Sequence, residues 1–169
     1  MKWVIFTGTW RSTNDEVEHD VRVATREVLA RGDGIVTGGA TGVDYFCMDE
    51  VLKNKAENKL RVIIPAKLEH YISDYHKNWC TAPVTKSDID NLENILKDFK
   101  NKNPSGLLEI KHDDTDLTQN DYDLRHNEEV MFADEVYAFQ VNESSGTQDT
   151  IDKAEHAGLK TSLHKKYKI

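Results

Sequence analysis

Trp3-Val4-Ile5-Phe6-Thr7-Gly8-Thr9 and Ile35-Val36-Thr37-Gly38-Gly39-Ala40-Thr41-Gly42 are short apolar runs, each broken by glycine. A run of this length without polar alternation reads as a strand buried on both faces. Between them, Ser12-Thr13-Asn14-Asp15 supplies helix-capping residues, and Val17, Val21, Ala24, Val28 and Leu29 recur at helical spacing until Arg31-Gly32. After the second run a helix carries Val43, Phe46, Cys47, Val51 and Leu52, and a third strand, Leu60 to Ile64, stops at Pro65. Strand–helix–strand–helix–strand in this order predicts a parallel sheet.

Working outward, regular structure resumes near Tyr122. The pattern predicts a helix over Asp123 to Phe132 and a strand over Glu135 to Phe139. A turn at Ser144-Ser145-Gly146-Thr147, a helix from Thr150 to Ala157 and a last strand from Thr161 to His164 follow. The intervening segment, about 66–121, holds one clear helix (Ser87 to Lys100) among polar loops. The expectation is one α/β domain over 1–169: a Rossmann-like three-layer sandwich with a mostly parallel sheet of about five to six strands. Residues 66–121 are read as a partly helical insertion. Tyr71, Tyr75 and Trp79 stand four residues apart, so a helix there would present an aromatic stripe, either core packing or a stacking platform for a base.

The chain has 169 residues and a formal net charge of −8. The one basic cluster is His164-Lys165-Lys166-Tyr167-Lys168, so nucleic acid is not expected as a partner. No apolar stretch can span a bilayer, and the N-terminal residues do not read as a signal peptide, so a cytoplasmic protein is expected. Cys47 and Cys80 are far apart and outside any CxxC pair, which disfavours a disulfide framework or zinc knuckle. The histidines do not assemble a metal site by spacing. No metal and no required cofactor are expected.

The chemistry lies in the turns. Gly8-Thr9, Gly38-Gly39-Ala40-Thr41-Gly42 and Ser144-Ser145-Gly146-Thr147 all follow strands, and in a parallel sheet they share the carboxyl edge where ligands bind. Glycine admits a close ligand, and the next helix offers unpaired N–H groups and a positive dipole end, so phosphate is the expected occupant. Neither G-x-x-x-x-G-K-[ST] nor G-x-G-x-x-G is present, which disfavours a Walker A loop and a standard NAD site. Asp44 is placed to cap its helix or to accept a ribose hydroxyl. Arg125 and Asn127 could clamp phosphate and read a ribose or base, against the plainer reading of a surface pair between Arg125 and Glu128 or Glu129.

Gly38-Gly39-Ala40-Thr41-Gly42-Val43-Asp44 resembles the GGA-x-G-x-D turn of the SLOG superfamily, which joins the Lonely Guy phosphoribohydrolases and the Rossmann domain of DNA-processing protein A. Arg125 to Phe139 is similar to its Arg-Asn helix and following strand, and Ser145-Gly146-Thr147-Gln148-Asp149-Thr150-Ile151 to the phosphate turn of its small YspA/YpsA-like branch. The resemblance covers 1–65 and about 122–169. It implies a nucleotide or nucleotide-derived ligand, with Gly38, Gly39, Gly42, Gly146 and Thr147 around phosphate, and a homo-oligomer, often a dimer. Thr150 stands where the Lonely Guy enzymes carry their catalytic glutamate. The leading expectation is therefore a nucleotide sensor or ligand-binding domain. An N-glycosidase acting on nucleoside monophosphates is the alternative, with Arg125, Glu128 and Asp149 as weak catalytic candidates, and a DNA-transaction accessory protein is the third reading.

Overall fold

A computed structural model describes residues 1–169. Six strands, β1 (Trp3–Gly8), β2 (Gly34–Thr37), β3 (Leu60–Ala66), β4 (Leu107–Lys111), β5 (Glu135–Val141) and β6 (Lys160–Tyr167), form one sheet in the order β4-β3-β2-β1-β5-β6. All pairings are parallel. Helices cover both faces, which gives the three-layer Rossmann-like sandwich.

The helices are α1 (Asp15–Ala30), α2 (Val43–Lys53), α3 (Leu68–Asp74), α4 (Lys86–Lys102), α5 (Gln119–Met131) and α6 (Ser145–His156). A π-helical turn, Tyr75–Trp79, prolongs α3. Of the capping candidates before α1, Asn14 is the cap: its side-chain oxygen accepts from Val17 N–H at 3.0 Å. Reciprocal Thr85–Asp88 bonds start α4, satisfying donors the first turn leaves unpaired. Helix α6 begins at Ser145, five residues before the apolar pattern suggests, because its first turn is polar.

Alternation along β1 divides the core. Val4 and Phe6 join a cluster with α1 to α4, while Ile5 joins a smaller one with Val130 of α5 and Ile151 and Ala154 of α6. Residues 66–121 contribute α3, the π turn, α4 and the edge strand β4, which pairs with β3 from Val62↔Leu107 to Ala66↔Lys111. Strand β4 went unrecognised in the sequence because Leu107-Leu108-Glu109-Ile110-Lys111 is only half buried, as an edge strand is.

The topology fixes the crevice at the carboxyl edge of the sheet. From β1 the chain moves outward through β2 to β4, then returns to β5 on the other side of β1. The switch point lies between the carboxyl ends of β1 and β5, in register at Thr7↔Ala138 and Gly8↔Phe139.

Candidate functional site

A cavity of about 290 Å³ opens at this switch point. Thr7 and Gly8 of β1, Ala40 of the β2–α2 turn and Asp44 of the first turn of α2 form its floor. Arg125, His126 and Glu129 of α5 and Ser145 and Gly146 of α6 form one wall; Trp10, Tyr71, Tyr75, Trp79 and Tyr122 form the other.

The aromatic wall is an edge-on lattice. Trp10 meets Trp79 with ring centroids 5.3 Å apart, Tyr71 meets Tyr75 at 5.4 Å and Trp79 meets Tyr122 at 5.9 Å. Asp74 locks it, accepting from Trp79 Nε1 at 3.0 Å and Tyr122 OH at 2.9 Å. The core-packing reading of the stripe holds: Tyr71 and Tyr75 are buried in the core, and they also line the cavity.

The polar wall is organised by Arg125. Its Nη1 donates to Gly38 O at 3.2 Å, its Nη2 to His126 Nε2 at 2.8 Å, and its Nε lies 3.4 Å from Glu129 Oε1 without hydrogen-bond geometry. Because His126 Nε2 accepts, its Nδ1–H donates to Asp149 Oδ2 at 2.8 Å. Asp149 also takes Lys153 Nζ at 2.7 Å. The chain Lys153–Asp149–His126–Arg125–Gly38 thus ties α6 to α5 and to the end of β2, and it orients the guanidinium. Asp123, His126 and Asp149 come close enough to group around a cation, but the Lys153 ammonium already sits on Asp149.

Two buried carboxyls face this one guanidinium. Burial raises Asp44 above the usual carboxylate range, opposed by Arg125. Burial pushes Glu129 up to about 8, with Arg125 pulling it down and Asp44 pushing it further up. Asp44 accepts from Ala40 N–H at 3.1 Å, whereas Glu129 Oε1 has no hydrogen-bond partner, so a retained proton belongs on Glu129. Burial first, then Arg125, lowers His126 to about 4, leaving it neutral.

These shifts predict a pH dependence of stability. Folded Glu129 holds a proton that an unfolded carboxyl releases near 4.5, so its contribution is full below that pH and is lost as pH rises through about 8. Neutral His126 acts oppositely: its contribution is present above 6.5 and lost as pH falls toward 4. The two offset between 4.5 and 6.5, so the melting temperature should fall between pH 6.5 and 8. Glu129→Gln should flatten that fall; thermal melts across this range check it.

Of the residues singled out from the sequence, Gly8, Ala40, Asp44, Arg125, Ser145 and Gly146 line the cavity. Gly38 lies behind Arg125, and Gly39 is pressed against Val62 and Ile64. Thr41 and Gly42 face a neighbouring groove shared with Trp10 and Arg11. In the glycine turn, Ala40 N–H goes to Asp44 and Thr41 N–H to Tyr75 OH at 3.2 Å. Asp44 therefore ties the turn together instead of capping α2, whose N-cap is Gly42. Thr9 is buried, its hydroxyl accepting from Arg11 N–H at 3.3 Å and Ser12 N–H at 3.4 Å. Thr147 is also buried, bonded to the Ser144 hydroxyl at 2.6 Å. Asn127 is exposed, and neither it nor Glu128 reaches the cavity. Asp149 acts on the cavity only through His126.

By contrast with the glycine turn, α6 begins with donors to spare. The N–H groups of Ser145, Gly146 and Thr147 have no protein acceptor, and the first amide engaged is Gln148, on Ser144 O at 3.2 Å. Sequence reasoning missed Glu129 and His126 as cavity residues. The one available signal was the four-residue spacing of Glu129 from Arg125, on a helix too polar to mark its buried face.

No protein-family model matches the chain, and no curated protein matches it. Solved structures share its fold. One is DNA processing protein A from Helicobacter pylori, described for its single-stranded DNA binding mode: 21% identity, TM-score 0.66, covering 93% of this chain and 62% of that one. DNA processing protein A from Streptococcus pneumoniae matches at 16% identity and TM-score 0.63, over 94% of this chain and 48% of that one. The structural-genomics target TM1055 matches at 16% identity and TM-score 0.54, over 94% and 71%. This chain thus spans less than two thirds of either DNA processing protein, 62% of one and 48% of the other. The expectation against nucleic acid, drawn from net charge, finds no support in these similarities. No helix is long and apolar enough to cross a membrane.

Proposed function

We propose that the switch-point cavity binds a single nucleotide or nucleotide-derived ligand, its phosphate at the start of α6. The observation that carries this is that Ser145 and Gly146, at the start of α6 where the first three amides are unpaired, line the same cavity as Arg125. They offer donors and the positive end of a twelve-residue helix dipole, and Arg125 adds a fixed cation. The rings lining the same cavity provide an apolar surface for a base. The volume, near the lower end for ligand pockets, suits one nucleotide.

The test is a thermal-shift screen against nucleoside monophosphates, dinucleotides and cyclic nucleotides, with chromatography of each mixture. Stabilisation with intact ligand supports a binding or sensor domain. Release of a free base supports the N-glycosidase alternative, and no shift with no cleavage removes the proposal. A Cβ at Gly146 meets nothing within 4 Å, and acidic side chains suit a helix start, so Gly146→Asp should fold normally. It should weaken nucleotide binding by at least about tenfold, because its carboxylate occupies the phosphate position. Calorimetry beside a thermal melt checks both halves.

The similarity to a single-stranded-DNA-binding structure favours a second reading, in which the bound nucleotide belongs to a strand. Lys166 and Lys168 support it: they border a groove on β6, at the same carboxyl edge of the sheet, and could meet a continuing backbone. Fluorescence polarisation with a labelled oligonucleotide, competed by mononucleotide, separates the readings. A strand must bind more tightly, with steep salt dependence.

A further inference from the structure

We propose, building on the nucleotide reading above, that Glu129 reads the sugar: its free carboxyl oxygen hydrogen-bonds the ribose hydroxyls, so the cavity selects ribose over deoxyribose. Glu129 is 2% exposed and lines the cavity; its Oε1 is sealed 3.4 Å from Arg125 Nε, and its other oxygen, Oε2, has no hydrogen-bond partner in the protein. Most buried side-chain oxygens are satisfied, and an exception facing a cavity is satisfied when the cavity fills.

The chemistry of the partner follows from the neighbours. Phosphate at pH 7 offers mainly acceptors and negative charge, so it does not belong against Glu129 and Asp44; the amides at the start of α6 take it instead. The nucleotide group nearest the phosphate is the sugar. A hydroxyl both donates and accepts, so it satisfies Glu129 whether that carboxyl is ionised or protonated. Asp44, on the same floor, holds its oxygen on Ala40 N–H, which leaves Glu129 as the uncommitted reader. The placement of Glu129 beside Arg125 depends on Gly38: a Cβ there would stand 2.6 Å from Glu129 Oε1 and 2.8 Å from Arg125 Cζ.

The test uses base-free probes, so that the ring wall plays no part. Calorimetry of the full chain compares ribose 5-phosphate with 2-deoxyribose 5-phosphate, and a ribonucleoside monophosphate with its 2′-deoxy form. The ribo compound of each pair should bind about tenfold more tightly, the worth of one hydrogen bond to a buried acceptor. Glu129→Gln and Glu129→Ala should bring each ratio within about twofold. Equal affinities in the unaltered protein overturn the assignment while leaving the nucleotide site standing. If no sugar phosphate or nucleotide binds at all, both fall. Should the variants fail to fold, the ratios in the unaltered protein decide alone.

Discussion

Arg125→Ala should abolish measurable nucleotide binding and destabilise the protein by about 3–5 kcal/mol, the usual cost of removing one partner from a buried charge pair. The guanidinium is the one cation beside two buried carboxyls, Glu129 and Asp44, and it also holds Gly38 O and His126 Nε2. Without it both carboxyls must be protonated or pay for burial. The loss should therefore deepen as pH rises from 6 to 8. For a chain of this size the melting temperature should drop by roughly 6–20 °C. Arg125→Lys should rescue little, since an ammonium lacks the planar fork that reaches Gly38 O and His126 together. Denaturant melts and calorimetry at two pH values check this; an alanine variant with undiminished affinity would remove Arg125 from the site.

Gly42→Ala should be comparably damaging by an unrelated route. Gly42 has φ +74°, and a Cβ there would strike the carbonyl oxygen of Thr9, which also accepts the Val43 N–H at 3.1 Å. A left-handed conformation with ψ −128° costs an L-residue about 1–3 kcal/mol, and the backbone collision adds a similar amount. Gly146→Ala should be nearly silent, since space there is open. Parallel melts of the two variants test whether the glycine turns are alike; equal losses would refute the distinction.

That contrast shows how far the sequence could be read. The glycines after β1, β2 and β5 are equivalent in pattern, and each marks a strand end at the carboxyl edge. The structure separates them by their neighbours. Gly39 is wedged between Val62 and Ile64, and Gly42 lies against Thr9, so both serve close packing. Gly146 faces the cavity with unpaired amides on either side. Whether a glycine makes room for a ligand or for its own chain depends on what the fold brings opposite.

The sequence by itself determined the doubly wound sheet. Strands covered on both faces require unbroken apolar runs, such as Val4-Ile5-Phe6 and Val62-Ile63-Ile64, and parallel crossovers require helices between them. It also placed a strand-to-helix turn at Ser145-Gly146, and a helix start after a strand has spare donors wherever it lies. Only the tertiary structure decided what surrounds that turn. Arg125, His126 and Glu129 sit on a helix with little apolar signal, and their burial comes from packing against β2, β3 and α6. Tyr71, Tyr75 and Trp79 reach the cavity because α3 and its π turn follow the carboxyl end of β3, with the Tyr71 hydroxyl on Gly39 O, the Tyr75 hydroxyl on Thr41 N–H and Trp79 against Trp10. Local pattern records which side chains avoid water; which polar groups are held together away from it is a property of the assembled layers.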